Sequence, residues 1–230
     1  MKILHAFADY GVEAEPLRLY GEVVRLGHDP RDTNDSQPVR AKAEAAPFAP
    51  DSFDVGMFHP PCTRWSDMPD ADKSGDAPNL VPLARELGNR LCDHYIIENK
   101  PRAPLDDPTL LSGKMFGLPI EHERAFETSF RVRQPPRQQS LPTESSPYFN
   151  TEKSREWWAS VKGVREAPYC KHALSKNSLP APFVHYLMRA WLEATDRADG
   201  PGDYTEYDKR KTTARRRENN QQLPVADGGH

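Results

Sequence analysis

Ser52-Phe53-Asp54-Val55-Gly56-Met57-Phe58, followed at once by His59-Pro60-Pro61-Cys62, is the stretch from which the fold is read. The first seven residues form a strand signal, and the two prolines stop it abruptly because they cannot donate to a sheet ladder. The same pattern recurs on both sides. Lys2–Phe7 is a short apolar run broken by Asp9-Tyr10-Gly11, and Val23–Leu26 is a second one, ended by His28-Asp29-Pro30. Glu13–Tyr20 between them has helical character, with Pro16 suited to a first turn. Leu80, Leu83, Leu87 and Leu91 repeat at helical spacing, and Tyr95-Ile96-Ile97 is a buried-strand signature that stops at Glu98-Asn99-Lys100-Pro101. Strands alternating with helices predict an α/β chain with a doubly wound, mostly parallel sheet. In open sheets of that kind ligands bind beyond the carboxyl ends of the strands. Asp29, the segment His59–Ser66 and Glu98-Asn99 all fall there.

Composition sets the bounds. A chain of 230 residues holds one α/β domain with a small annex. With 37% hydrophobic and 28% charged residues it has a globular composition, and no window approaches the 18 apolar residues of a membrane span. The apolar run before Asp9 is too short for a signal peptide. Cys62, Cys92 and Cys170 are odd in number and widely spaced, which argues against a disulfide framework and for a reducing, cytoplasmic setting. A net charge of −3 does not announce a nucleic-acid partner, but residues 131–176 and 209–217 are locally basic. Cys170-x-His172 supplies two metal ligands where a site needs more, so no metal is expected.

Three segments carry chemistry. Pro60-Pro61 would hold Cys62 out of regular structure at the top of the sheet, where a thiol becomes a nucleophile if a positive group is near; His59 and Arg64 are the candidates. A small cysteine buried in a tight turn fits the spacing equally well. Glu98, at a strand end beside that site, can be raised in pKa by burial and act as an acid. Arg124 alternates with Ala125 and Phe126 on what reads as an edge strand.

Taken in this order the segments resemble the DNA cytosine carbon-5 methyltransferase family, in particular its small phage and archaeal members, over roughly residues 1–195. Cys62 falls on the nucleophile of the family's Pro-Cys motif. Glu98-Asn99 falls on its Glu-Asn-Val motif, with Lys100 in place of valine. Arg124 falls on the last arginine of its Arg-x-Arg element, where His122 replaces the first. Ile97–Leu118 and Ser175–Leu187 are similar to further stretches of those enzymes, the latter to the segment that returns to the catalytic domain. The resemblance implies a Rossmann-like fold and S-adenosylmethionine as cofactor. It implies double-stranded DNA as partner, and a restriction or viral modification system as setting. Cys62 would add to carbon 6 of a flipped cytosine, Glu98 would protonate N3, and Arg124 would hold the base or its phosphate. His59, Pro61, Thr63, Arg64, Ser66, Asn99 and His122 would meet the substrate. Phe7, Asp9, Gly11, Asp29 and Pro60 would meet the cofactor. Four parts follow: a catalytic core over 1–130, a short irregular target-recognition region over 131–174, a helix packing back over 175–196, and a mobile charged tail over 197–230. In the target-recognition region Arg131, Arg133, Arg137, Lys153, Arg155, Lys162, Arg165 and Lys171, with Tyr148, Trp157 and Trp158, suit phosphate contact and base stacking.

The cofactor half departs from the family pattern. Asp9 stands where its glycine-rich turn has a glycine. Its ribose-binding acid matches Gly27 by position, with Asp29 two residues on. Its adenine-contacting acid falls near Lys42, with Glu44 close by. Two other readings therefore stand beside the first. One is a DNA amino-methyltransferase, which has an aromatic residue where Cys62 stands. The other is a methyltransferase-like DNA-binding protein that has lost its cofactor.

Overall fold

The computed structural model describes residues 1–33, 36–66, 76–136, 142–145 and 152–197. The chain divides into two units, Met1–Arg197 and Ala198–His230, and every described residue belongs to the first. The expected tail with its charged stretch Tyr207–Arg217, most of the polar loop after Ser66, and Arg137 and Tyr148 lie outside the described residues.

The elements are, in chain order, β1 (Lys2–Ala6), α1 (Ala14–Leu17), β2 (Glu22–Gly27), β3 (Gln37–Arg40), β4 (Phe53–Phe58), α2 (Val81–Leu91), β5 (Cys92–Asn99), β6 (Thr109–Leu111), β7 (Arg124–Thr128), α3 (Arg155–Lys162), α4 (Lys171–Ser175) and α5 (Ala181–Ala194). They build one seven-stranded sheet in the order β3-β2-β1-β4-β5-β7-β6. The first five strands run parallel, and β7 pairs antiparallel with both β5 and β6. The chain winds outward from β1 through β2 to β3, then crosses to β4 on the other side of β1. That reversal opens a crevice between β1 and β4 at their carboxyl ends.

Two expectations need correction, and two strands were not foreseen. The helix read over Glu13–Tyr20 is a single turn, Ala14–Leu17, and the chain on either side is held by turns and side-chain contacts. Two short strands, β3 and β6, carry no pattern that singles them out. Arg124 does not sit on an edge strand, because β6 covers β7.

One core cluster joins Leu4, Leu26, Phe58 and Ile97 of the sheet to Ala84, Leu87 and Leu91 of α2. A second gathers Trp158, Val161, Tyr169, Leu174 and Ala181 around Val12, Leu118 and Ile120. No helix among the described residues is long and apolar enough to cross a membrane. Beside the first cluster lies a buried carboxylate. Glu127, 2% exposed, accepts from Arg85 Nε at 2.7 Å, Arg85 Nη2 at 2.8 Å, the Asp106 amide at 2.9 Å and the Tyr95 hydroxyl at 3.3 Å. Burial alone pushes this carboxyl up, but Arg85, the Asp106 amide and Tyr95 outweigh burial and hold it below the ordinary value of 4.5. Its contribution to stability is therefore complete above pH 4.5 and is lost as pH falls through the depressed folded value. Glu127→Ala leaves Arg85 without its main partner and is expected to cost about 3 kcal/mol in urea denaturation at pH 7. That difference should shrink toward pH 3, and one that stayed constant would contradict the assignment.

Candidate active site at the crevice

Strand register decides which side chains meet. Phe58 of β4 lies opposite Ile97 of β5, so residues 59 and 98 leave the sheet side by side. His59 Nδ1 is 3.1 Å from Glu98 Oε2. Glu98 in turn lies opposite Phe126, and Arg124 Nε reaches Glu98 Oε1 at 2.8 Å. Asn99 is fully buried, and its amide donates to the Pro60 carbonyl at 3.0 Å. This bond pins the proline turn, so Asn99 shapes the Cys62 segment without reaching the cavity. Cys62 itself is half-buried and precedes one turn of 3-10 helix, Thr63–Trp65. Cys92, by contrast, is buried in the core with its thiol pushed up to about 12, which makes it inert.

The crevice holds a cavity of about 600 Å³, within the range of small-molecule sites. Among the residues expected at the site, Phe7, Asp9, Gly11, His59, Pro60, Pro61, Cys62, Thr63, Glu98 and Arg124 line it. Five others do not. Asp29 pairs with Arg40 at the surface. Arg64 donates to the Ala77 carbonyl at 3.0 Å, and Ser66 and Asn99 are absent from the lining. His122 is buried against Lys162, 3.4 Å from its Nζ.

Sequence reading missed His5 and Glu13, which form the floor. His5 is completely buried, neither of its ring nitrogens has a hydrogen-bond partner, and its ring meets that of His59 edge-on at 5.0 Å. Burial, then His59 and Arg25, press it well below its ordinary value, so it is neutral. Glu13 Oε2 lies 3.7 Å from His5 Nε2, and Glu13 Oε1 accepts from the Leu179 amide at 2.7 Å. His5, Glu13 and His59 could hold a metal ion, with donor atoms within 4.8 Å of one another. Neither residue was legible as functional, because each sits inside an apolar run or a turn.

The charges around Glu98 correct another expectation. Burial raises its carboxyl, but His59, Arg124 and Lys100 together outweigh burial and hold it below the ordinary range. Glu98 is thus an anion in the ligand-free protein. Burial lowers His59, but Glu98 and Glu13 outweigh burial and the opposing Arg124, so its net shift is upward. The proton between the two rests on His59.

The turn after β1 is built without the full glycine set. Gly11 has φ +66°, and a Cβ there would lie 2.3 Å from Arg25 Nη1. Arg25, fully buried on β2, donates to Ser36 Oγ at 2.7 Å, to the Ala8 carbonyl at 3.3 Å and to the Arg31 carbonyl. Phe7, on the cavity wall, is left-handed at φ +59°, a conformation that costs a non-glycine residue about 1–2 kcal/mol. His28 and Glu44 also line the cavity, as do Lys176, Asn177, Ser178 and Leu179 from the segment between α4 and α5. A nucleoside cofactor fits this donor set: a carboxylate, Asp9, lies just past the end of β1 and lines the cavity beside Gly27, His28 and Glu44.

In the region expected to meet DNA, side-chain direction sorts the candidates. Trp158 and Lys162 are both fully buried and cannot reach a partner. Arg155 pairs with Glu166 and Arg165 with Glu15. Arg131 and Arg133 are exposed, and Lys153 sits 4.9 Å over the half-buried Trp157 ring.

No protein-family model matches the chain, and no curated protein matches it. Solved structures do. The Dnmt2 methyltransferase of S. pombe superposes with a TM-score of 0.53 at 11% identity, over 84% of this chain and 98% of that one. The methyltransferase EhMeth of Entamoeba histolytica gives 0.54 at 10% identity, over 84% and 98%. A prophage-encoded structure from E. coli described as a DNA modification methyltransferase gives 0.41 at 13% identity over 58% of this chain, which spans about half (49%) of that protein's length. At such identities the likeness is one of fold, and the chain has the Rossmann-like methyltransferase fold.

Proposed function

We propose that the chain is an S-adenosylmethionine-dependent DNA methyltransferase acting on carbon 5 of cytosine, with Cys62 as nucleophile and Glu98 as the group that neutralises the ring. The observation that carries this reading is that Cys62, Glu98 and Arg124 line one cavity, with Arg124 Nε 2.8 Å from Glu98. Such a cavity must accept a base flipped out of the duplex. Cys62 then bonds to carbon 6, and negative charge develops toward N3. Glu98 meets that charge with the proton His59 holds, passed along the 3.1 Å contact. Arg124 fixes the carboxylate so that the transfer has one geometry. When bound, S-adenosylmethionine supplies the electrophilic methyl group to carbon 5. Phe7, Asp9, Gly11, His28 and Asn177, which line the cavity, would hold it. A base such as water then takes the carbon-5 proton, the electron pair of that bond re-forms the ring double bond as Cys62 leaves carbon 6 with the sulfur–carbon pair, and N3 returns its proton to Glu98.

Double-stranded DNA is the proposed partner, met by the exposed Arg131 and Arg133 and by Lys153 in the target-recognition part over 131–174. The amino-methyltransferase reading is weaker, because a thiol in place of an aromatic ring cannot stack on a flipped base. Incubation with a duplex containing 5-fluorocytosine and S-adenosylmethionine tests the proposal. Fluorine cannot leave as a proton does, so a denaturant-stable adduct through Cys62 is expected. Transfer of methyl to exocyclic nitrogen without any adduct would overturn it.

A further inference from the structure

At the carboxyl end of β2 the residue is Gly27, and a Cβ built on it would lie 2.3 Å from Asp9 Oδ1. The Asp9 carboxylate therefore occupies the space in which a side chain at position 27 would begin. It is held there firmly. Asp9 Oδ1 accepts from the Asp29 amide at 3.0 Å, and the Asp9 carbonyl accepts from the Arg31 amide at 2.9 Å. Among the described residues no protein group donates to the other carboxylate oxygen, and Asp9, Gly27 and His28 all line the cavity. In nucleoside-binding sheets of this topology, an acid at the end of the second strand receives the ribose hydroxyls. Asp29, two residues past that position, is the nearest acid along the chain but is paired with Arg40 at the surface.

We infer that Asp9 takes this part from the neighbouring loop: its free oxygen receives the ribose hydroxyls of the cofactor, and position 27 is glycine because the Asp9 carboxylate stands over it. The acid and the glycine have exchanged places between two adjacent loops. The inference rests on the reading of the cavity as an S-adenosylmethionine site and specifies how that site recognises the sugar.

The test is calorimetric titration of the whole chain with S-adenosylhomocysteine and with its 2′-deoxyribose analogue. Wild type is expected to bind the first and to discriminate against the second. Asp9→Asn keeps an oxygen for the Asp29 amide but loses the charge, so affinity should fall about ten- to a hundredfold. Discrimination against the deoxy analogue should collapse with it, which a merely structural role for Asp9 does not produce. Gly27→Glu alone should collide with Asp9 and weaken binding, whereas Asp9→Gly with Gly27→Glu should recover affinity to within about threefold of wild type. Undiminished binding and unchanged discrimination in Asp9→Asn overturn the inference while leaving the cofactor reading intact. No binding by wild type overturns both.

Discussion

Cys62→Ala is expected to abolish methyl transfer to cytosine, a loss of at least about 10⁴-fold, the scale on which removal of a covalent nucleophile acts. The reason is local. The Pro60-Pro61 turn is pinned by Asn99, and no second thiol is placed to substitute. Cys92 is sealed in the core with its thiol pushed up to about 12, and Cys170 is exposed and absent from the cavity lining. Two measurements separate loss of chemistry from loss of fold. The variant should bind S-adenosylhomocysteine as wild type does, and it should form no adduct on a 5-fluorocytosine duplex. Cys92→Ala should still form one. Methyl transfer by Cys62→Ala within tenfold of wild type would remove the thiol from the mechanism.

Glu98→Gln has the second largest expected effect, a fall in kcat of about 10²- to 10⁴-fold. Glutamine preserves the shape and can still face Arg124, but it cannot relay a proton to a ring nitrogen. The pH profile carries the finer signature. Glu98 is held ionised by His59, Arg124 and Lys100 against burial, and His59 is raised on balance by Glu98 and Glu13 against burial and Arg124. The wild-type rate should therefore fall as pH rises through the elevated His59 value, where the shared proton is lost. His59→Gln should lower the plateau and flatten that alkaline limb. Should the limb persist unchanged in His59→Gln, the proton comes from elsewhere.

The parallel half of the sheet was legible because β1, β2, β4 and β5 are buried on both faces and read as continuous apolar runs. The two flanking strands were not. Pro38 interrupts the polar β3, as edge strands tolerate, and Thr109–Leu111 is too short to show a period. Which residues would line the crevice was legible at the strand ends, as with Cys62 and Glu98. It was illegible where direction decides. Asp29 lies two residues past the matching position and faces Arg40, Asp9 looked like a damaged glycine turn, and Trp158 and Lys162 turn inward from a helix that could have faced either way. His5 was hidden for a different reason: a fully buried imidazole inside a strand has the linear pattern of an ordinary core position.

The bond from the Leu179 amide to Glu13 joins residues 166 positions apart. One wall of the pocket is thus synthesised well before the other. A ribosome-bound chain cannot complete this wall of the pocket until residue 179 has cleared the exit tunnel. So long a closure also slows assembly, since its entropy must be met before the contact forms.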